Sequence, residues 1–224
     1  MMEFYNSFKF IFPPRPESKI PPRLISVYDT QEFIAQPKYN GSCCSLFLDG
    51  VSAPIIINRH NETKTRVSPT IDLAGAHRGN NWMVLTGELM DKSKKGEDGE
   101  PIVGFIIWDI LVYESRHLLG MSLYDRLMLL EKLYPCKRGM YVGPSGLVDI
   151  KHLCLTDAAG VYKAPTYFGG QNYFPKLYND IVKVDAYEGL VLKKIQSKLE
   201  PGFNPSNNNL WQLKVRKPTK NYQH

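Results

Sequence analysis

From Phe105 to Val112 the chain is apolar at every position except Asp109. A strand of that composition is buried on both faces. It therefore needs packed layers around it, which limits the chain to a layered, sheet-containing domain. From Phe33 onward the pattern reads mostly as strands. Ser45 to Leu48 and Ile55 to Ile57 are short apolar runs separated by Asp49-Gly50, a hairpin signal. Trp82 to Met90, Tyr187 to Lys193 and Leu210 to Val215 are further strands. Ser122 to Tyr134 reads as a helix: Ser122 is a capping residue, and Leu123, Leu127, Leu130 and Tyr134 recur at helical spacing. Lys92 to Glu100 is a charged, glycine-containing loop, and Gly202 to Asn209 a loop between the last two strands. Residues 135 to 180, rich in Gly, Pro and Tyr, give the weakest signal. The fold class is α+β, one domain of packed antiparallel sheets with flanking helices.

Five prolines between Pro13 and Pro22 force an extended path. Residues 1–24 are thus expected to form an extended segment, and 25–224 the domain. No apolar run is long enough to span a bilayer. Met1 to Phe12 lacks the charged-then-apolar layout of a signal peptide, so a cytoplasmic protein without a membrane partner is expected. Cys43, Cys44, Cys136 and Cys154 form no CxxC pair and have no histidines at zinc spacing. They read as four reduced thiols and not as a zinc site. The formal net charge of +6 suits a polyanionic partner, since lysine and arginine release counterions on contact with phosphate. A merely basic, soluble surface has the same charge.

The chemistry-bearing residues follow one another in a fixed order. Lys38-Tyr39-Asn40-Gly41 comes first, and alone it is a weak pattern. Arg59 lies one hairpin later. Gly87-Glu88-Leu89 sits in a strand, then Trp108-Asp109 in the buried strand. Glu188-Gly189-Leu190-Val191-Leu192-Lys193 and Trp211-Gln212-Leu213-Lys214-Val215-Arg216 close the series.

This series resembles the covalent nucleotidyltransferases: ATP-dependent DNA ligases, RNA ligases and messenger RNA capping enzymes. Their hallmark is a Lys-x-Asp-Gly nucleophile motif followed by four further motifs in order, and residues 36 to 217 carry a counterpart of each. The resemblance implies an ATP-grasp-like ligase adenylation domain. It also implies a reaction in which Lys38 attacks ATP and AMP passes to a 5′-phosphate that a 3′-hydroxyl then joins. An attacking lysine amine must be neutral, whereas free lysine titrates at about 10.4. Neighbouring cations and a bound metal ion lower that value. Lys193, Lys214 and Arg216 are the expected cations, and Lys214 and Arg216 share one strand face.

By the same resemblance Glu188 is the acid that handles Mg2+ or Mn2+, Glu88 contacts the ribose, and Trp108 stacks on the purine. Gln36 meets the purine edge with an amide that both donates and accepts. Arg59 contacts the nucleotide or the substrate phosphate. Strict alternation places Glu188 and Lys193 on opposite faces; a bulge or a strand end at Lys193 would reconcile them, and otherwise Lys194 takes the role. Two residues depart from the family pattern: Asn40 replaces the motif Asp, and Cys43 stands where Arg or Lys is common. Asn40 tilts the reading toward RNA over nicked DNA.

The chain also ends soon after Arg216. It is expected to lack the oligonucleotide-binding barrel of larger relatives, and a protein partner could supply what is missing. The layout resembles virus-encoded ligases, which work in host cytoplasm. A GTP-using capping-type guanylyltransferase and a non-catalytic nucleic-acid-binding derivative are the alternatives.

Overall fold

A computed structural model describes residues 15–16, 19–90, 96, 99–135, 153–200, 208–209 and 211–218. In chain order the strands are β1 (Arg15–Pro16), β2 (Phe33–Tyr39), β3 (Ser42–Leu48), β4 (Ile55–Asn58), β5 (Met83–Met90), β6 (Gly104–Tyr113), β7 (Arg116–His117), β8 (Cys154–Leu155), β9 (Val161–Lys163), β10 (Tyr167–Phe168), β11 (Tyr187–Lys194), β12 (Asn208–Asn209) and β13 (Gln212–Arg216). The helices are α1 (Leu123–Leu133) and α2 (Phe174–Ile181), with 3-10 turns at Pro22–Tyr28 and Ala74–Ala76.

Two sheets carry the fold. One has the order β4-β3-β5-β6-β9-β8 with β7 also paired to β6, the other β10-β2-β11-β13. All pairs within them are antiparallel except β6–β9. That parallel pair follows from the crossover carrying α1 between the two strands, because a parallel neighbour cannot be reached by a hairpin. The expected α+β layering holds, departing from purely antiparallel sheets at this pair and at the separate parallel pair of β1 with β12.

Strand β6 lies between the layers, as its composition requires. Phe105, Ile107 and Ile110 are fully buried in the core shared with α1. Ile106 is fully buried in the core shared with the four-stranded sheet. Helix α1 starts where the sequence indicates, with the Ser122 hydroxyl accepting from the Asp125 N–H at 3.1 Å. From its inner face Arg126, with no exposed surface, grips Asp109 of β6 with two hydrogen bonds of 2.8 and 2.9 Å. A third Arg126 N–H reaches the Met121 carbonyl at 2.8 Å.

Several expectations are corrected. Residues 22–24 do not continue the extended segment. They open the Pro22–Tyr28 3-10 helix, because proline's fixed φ suits a first helical turn. Helix α2 had no sequence signal strong enough to place it. Its N-terminus is held by a residue from far upstream: the buried Asp29 carboxylate accepts from the N–H groups of Gly170 and Phe174, both at 2.7 Å, and of Tyr173. An anion there satisfies donors that the helix cannot. Cys43 and Cys44 are free thiols, but Cys154 is disulfide-bonded, so the expectation of four reduced thiols fails there. The pairing depends on tertiary proximity, which cysteine spacing did not reveal. The loop expected at Lys92 to Glu100 lies mostly outside the described residues. So does that at Gly202 to Asn209, apart from β12, which pairs with β1.

Arg126→Leu leaves the Asp109 carboxylate buried without its two-pronged partner. This change is expected to lower unfolding free energy by roughly 3–5 kcal/mol. Replacing both residues by leucine should recover part of the loss. Urea denaturation of the two variants checks both statements.

Candidate active site between the two sheets

After Lys38 the chain leaves one sheet for the other. Strand β2 belongs to the four-stranded sheet and β3 to the seven-stranded sheet, so Asn40 and Gly41 form the crossing. Gly41 has to be glycine: a Cβ there would lie 2.6 Å from the Leu89 carbonyl oxygen and 2.8 Å from the Glu88 side chain. Its N–H donates to Glu88 Oε1 at 3.0 Å. This glycine thus ties the lysine's strand to the glutamate of β5.

This crossing leaves a cavity of about 480 Å3 between the sheets. The four-stranded sheet contributes Gln36 and Lys38 from β2, Glu188 and Lys193 from β11, and Lys214 and Arg216 from β13. The seven-stranded sheet contributes Glu88 from β5 and Trp108 from β6, and Arg59 follows β4 at the rim. All nine side chains singled out in the sequence therefore line one cavity.

Two bulges make this possible. Tyr187 pairs with Tyr39 and Gly189 with Lys38, so Glu188 is an extra residue in β11. The inserted residue shifts the alternation and brings Glu188 and Lys193 into the same cavity. Lys194 instead lies half exposed, 3.6 Å from Glu32. Gly189 permits the bulge: its φ is +139°, and a Cβ would lie 1.9 Å from the Val215 carbonyl oxygen. In β6, Asp109 pairs with Thr86 and Ile107 with Gly87, leaving Trp108 as the extra residue. Trp108 faces the cavity while Asp109 turns to Arg126.

The charges are closely set. Lys38 Nζ lies 2.6 Å from Glu188 Oε2, and Arg216 Nε 3.4 Å from the same oxygen. Burial pushes the Glu88 carboxyl up to about 7, against the opposing pull of Lys38 and the Gly41 N–H. Burial also lowers the Lys193 ammonium to about 8, with Asp109 opposing and Arg126 assisting. The Cys43 thiol is pushed up to about 12 by burial and by Glu88. Position 43 therefore stays neutral where the resembled family commonly carries a cation. Arg59 Nε donates to His60 Nε2 at 3.1 Å, both exposed at the rim. Among the described residues no group of three or more His, Cys, Asp or Glu could hold a metal. Glu188 fits the other way a magnesium ion is bound, by one or two carboxylates completed by substrate phosphates and water.

Some cavity residues escaped the sequence reading. Lys64 reaches the rim because β4 turns back through Asn58 to Asn61, where Asn61 takes a positive φ of 63°, and Lys64 N–H then bonds to the Ile56 carbonyl. An asparagine-rich turn followed by lysine was the available signal. Gln212 also lines the cavity. Thr166 holds Gln36 from 130 residues away at 3.0 Å, a contact with no local signature.

Neither protein-family models nor curated sequences give a match to this chain. Solved structures do. A mycobacterial DNA ligase D complexed with ATP and MES aligns over 93% of this chain and 62% of its own, with a TM-score of 0.55 and 19% identity. The ligase domain of M. tuberculosis LigD aligns over 82% and 54%, at 0.52 and 20%. A Lig E DNA ligase, described as binding DNA with a minimal scaffold, aligns over 84% and 62%, at 0.51 and 17%. The chain has the fold of the ligase nucleotidyltransferase domain, and it spans less than two thirds of the length of each of these structures.

Glu88 titrates higher in the fold than its ordinary value of 4.5. The fold therefore binds the proton more tightly than the unfolded chain does. The resulting stabilisation is complete below pH 4.5 and is lost as pH rises through about 7. Glu88→Gln has no such dependence. The stability of this variant relative to the unaltered chain should rise by on the order of 3 kcal/mol between the two ends of that window. Urea unfolding at a series of pH values measures it, and parallel profiles would contradict it.

Proposed function

We propose that this cavity is the adenylylation site of an ATP-dependent polynucleotide ligase, with Lys38 as its nucleophile. The supporting observation is the convergence on one cavity of nine side chains chosen from sequence order, drawn from both sheets. ATP is placed with its purine against Trp108 and Gln36, its ribose toward Glu88, and its phosphates toward Lys193, Lys214 and Arg216. These cations are already fixed by the strands, so little reorganisation accompanies charge transfer.

Glu188 holds Lys38 Nζ in the cavity at 2.6 Å. The deprotonated amine attacks the α-phosphorus. An N–P bond forms as the bond to the bridging oxygen breaks, and pyrophosphate leaves with the electron pair. An oxygen of a polynucleotide 5′-phosphate next displaces Lys38, taking AMP as a 5′–5′ pyrophosphate. A 3′-hydroxyl then attacks the 5′-phosphorus, gives up its proton and releases AMP as the strand closes. Arg59, exposed at the rim, is placed for the incoming 5′-phosphate. Glu188 would hold a magnesium ion, which would supply neutralisation of charge at the transferring phosphate. Asn40 inclines the reading toward RNA ends, while the similar structures are named as DNA ligases. Matched RNA and DNA nicks decide between them.

Incubation with magnesium and α-labelled ATP should leave label on the denatured protein, and Lys38→Ala should abolish it. Label that survives in that variant would sink the assignment. Lys193→Ala and Lys214→Ala should each reduce the labelling rate by roughly 10²–10³-fold, the usual effect of removing one fixed transition-state stabiliser. Single-turnover kinetics give these rates directly.

A further inference from the structure

Building on that reading of the cavity, we infer that Gln36 and Thr166 form a purine reader that accepts guanine as well as adenine, so that the site uses GTP alongside ATP. Gln36 is 2% exposed. Its Nε2 donates to the Thr166 hydroxyl at 3.0 Å. Its Oε1 is buried and has no hydrogen-bond partner among the described residues. A buried amide end left unmatched is unfavourable, and this one belongs to a side chain that lines the cavity. Gln36 precedes Lys38 by two residues on β2, roughly 7 Å along one face. One side chain thus reaches the transferring phosphate and the other the base. Trp108, which lines the same cavity, is the surface on which that base stacks.

The second member of the pair makes the reading two-way. A hydroxyl both donates and accepts. With Nε2 toward Thr166, Gln36 offers its oxygen to the base, and adenine's exocyclic amine can donate to it. With the amide turned over, the oxygen accepts from the Thr166 hydroxyl, and the NH2 meets the carbonyl oxygen of guanine. The two arrangements make the same number of hydrogen bonds. Among the described residues Thr166 has no other side-chain partner to hold its hydroxyl in one role.

The surroundings do not choose either. Ile107, Trp108 and Phe168 wall a small cavity of about 20 Å3 that Gln36 and Thr166 share. The cation there, Lys163, already donates to Glu131 and to the Tyr134 carbonyl. A leucine at position 36 could neither donate nor accept and would leave both purines without this contact.

The test compares α-labelled ATP and GTP on the purified chain with magnesium, counting covalent label after denaturation. Unlabelled GTP serves as competitor against labelled ATP. A site built to one hydrogen-bond pattern rejects the other by roughly 10⁴–10⁵-fold; GTP is expected to label within about a hundredfold of ATP and to compete with it. Gln36→Leu is expected to lower ATP and GTP labelling alike, each by about tenfold or more, the worth of one such contact. If that variant does not fold, the competition on the unaltered chain decides. A GTP label weaker than ATP by more than about a hundredfold would overturn the inference and leave adenylylation standing. Loss of label from only one of the two nucleotides in Gln36→Leu would overturn it as well. Absence of label from both nucleotides would overturn the inference together with the function it rests on.

Discussion

The hydrogen bond from the Gly41 N–H to the Glu88 carboxylate joins the two halves of the molecule. It sits where the chain passes from one sheet to the other, within three residues of Lys38. Without a side chain, position 41 lets β2 and β3 approach β5 closely enough for that bond. A larger residue would meet the Leu89 backbone. The separation of the sheets, the reach of Lys38 into the gap and the height of Glu88 in the wall all follow from this crossing. A Lys-x-x-Gly pattern is weak as a string of letters. Here its glycine has a mechanical reason, independent of any family likeness.

Electrostatics extend the point. The cavity is unfavourable to charge of either sign: burial raises Glu88 and Cys43 and lowers Lys193. Such an interior would ordinarily be filled with apolar side chains. Here it is kept polar by pairing, Lys38 and Arg216 with Glu188, and Asp109 with Arg126 behind the wall. Lys193 has no such ion pair among the described residues. An anionic ligand would supply the counter-charge that Lys193 lacks, and it would compete with Glu188 for Lys38 and Arg216. The burial of Lys193 is thus an unfavourable term that an anionic ligand would relieve.

Much of this was legible in the sequence, and what was not has a common cause. The buried strand β6, the capped helix α1 and the order of the motifs depend on local pattern, and the structure follows them closely. The faces of Glu188 and Trp108 do not. Each is the extra residue of a bulge, and a bulge is a property of two strands whose pairing the sequence does not display. Alternation counted along β11 alone set Glu188 against Lys193. The pairing with β2 removes the conflict, and Gly189, the residue that tolerates the bulge, was its only local trace. Asp29 at the start of α2 and Thr166 behind Gln36 are missed for the same reason, since each acts across more than a hundred residues.

The bulges also bear on why sequence order and spatial convergence can agree so closely. A regular strand would show every second side chain to the cavity and would tie the choice of site residue to the register of the whole sheet. Inserting one residue uncouples the two. Glu188 can face Lys38, and Trp108 can face the cavity, while the strands that carry them keep their apolar sides in separate cores. Site geometry and core packing then become independent demands on the chain. That independence explains how a chain sharing only 17–20% of its residues with the ligase structures can keep the same fold around such a cavity. The core can vary by exchanging apolar residues of similar volume. The site depends on a few residues at the crossing, the two bulges and the last strand, and it was these that the sequence pattern picked out.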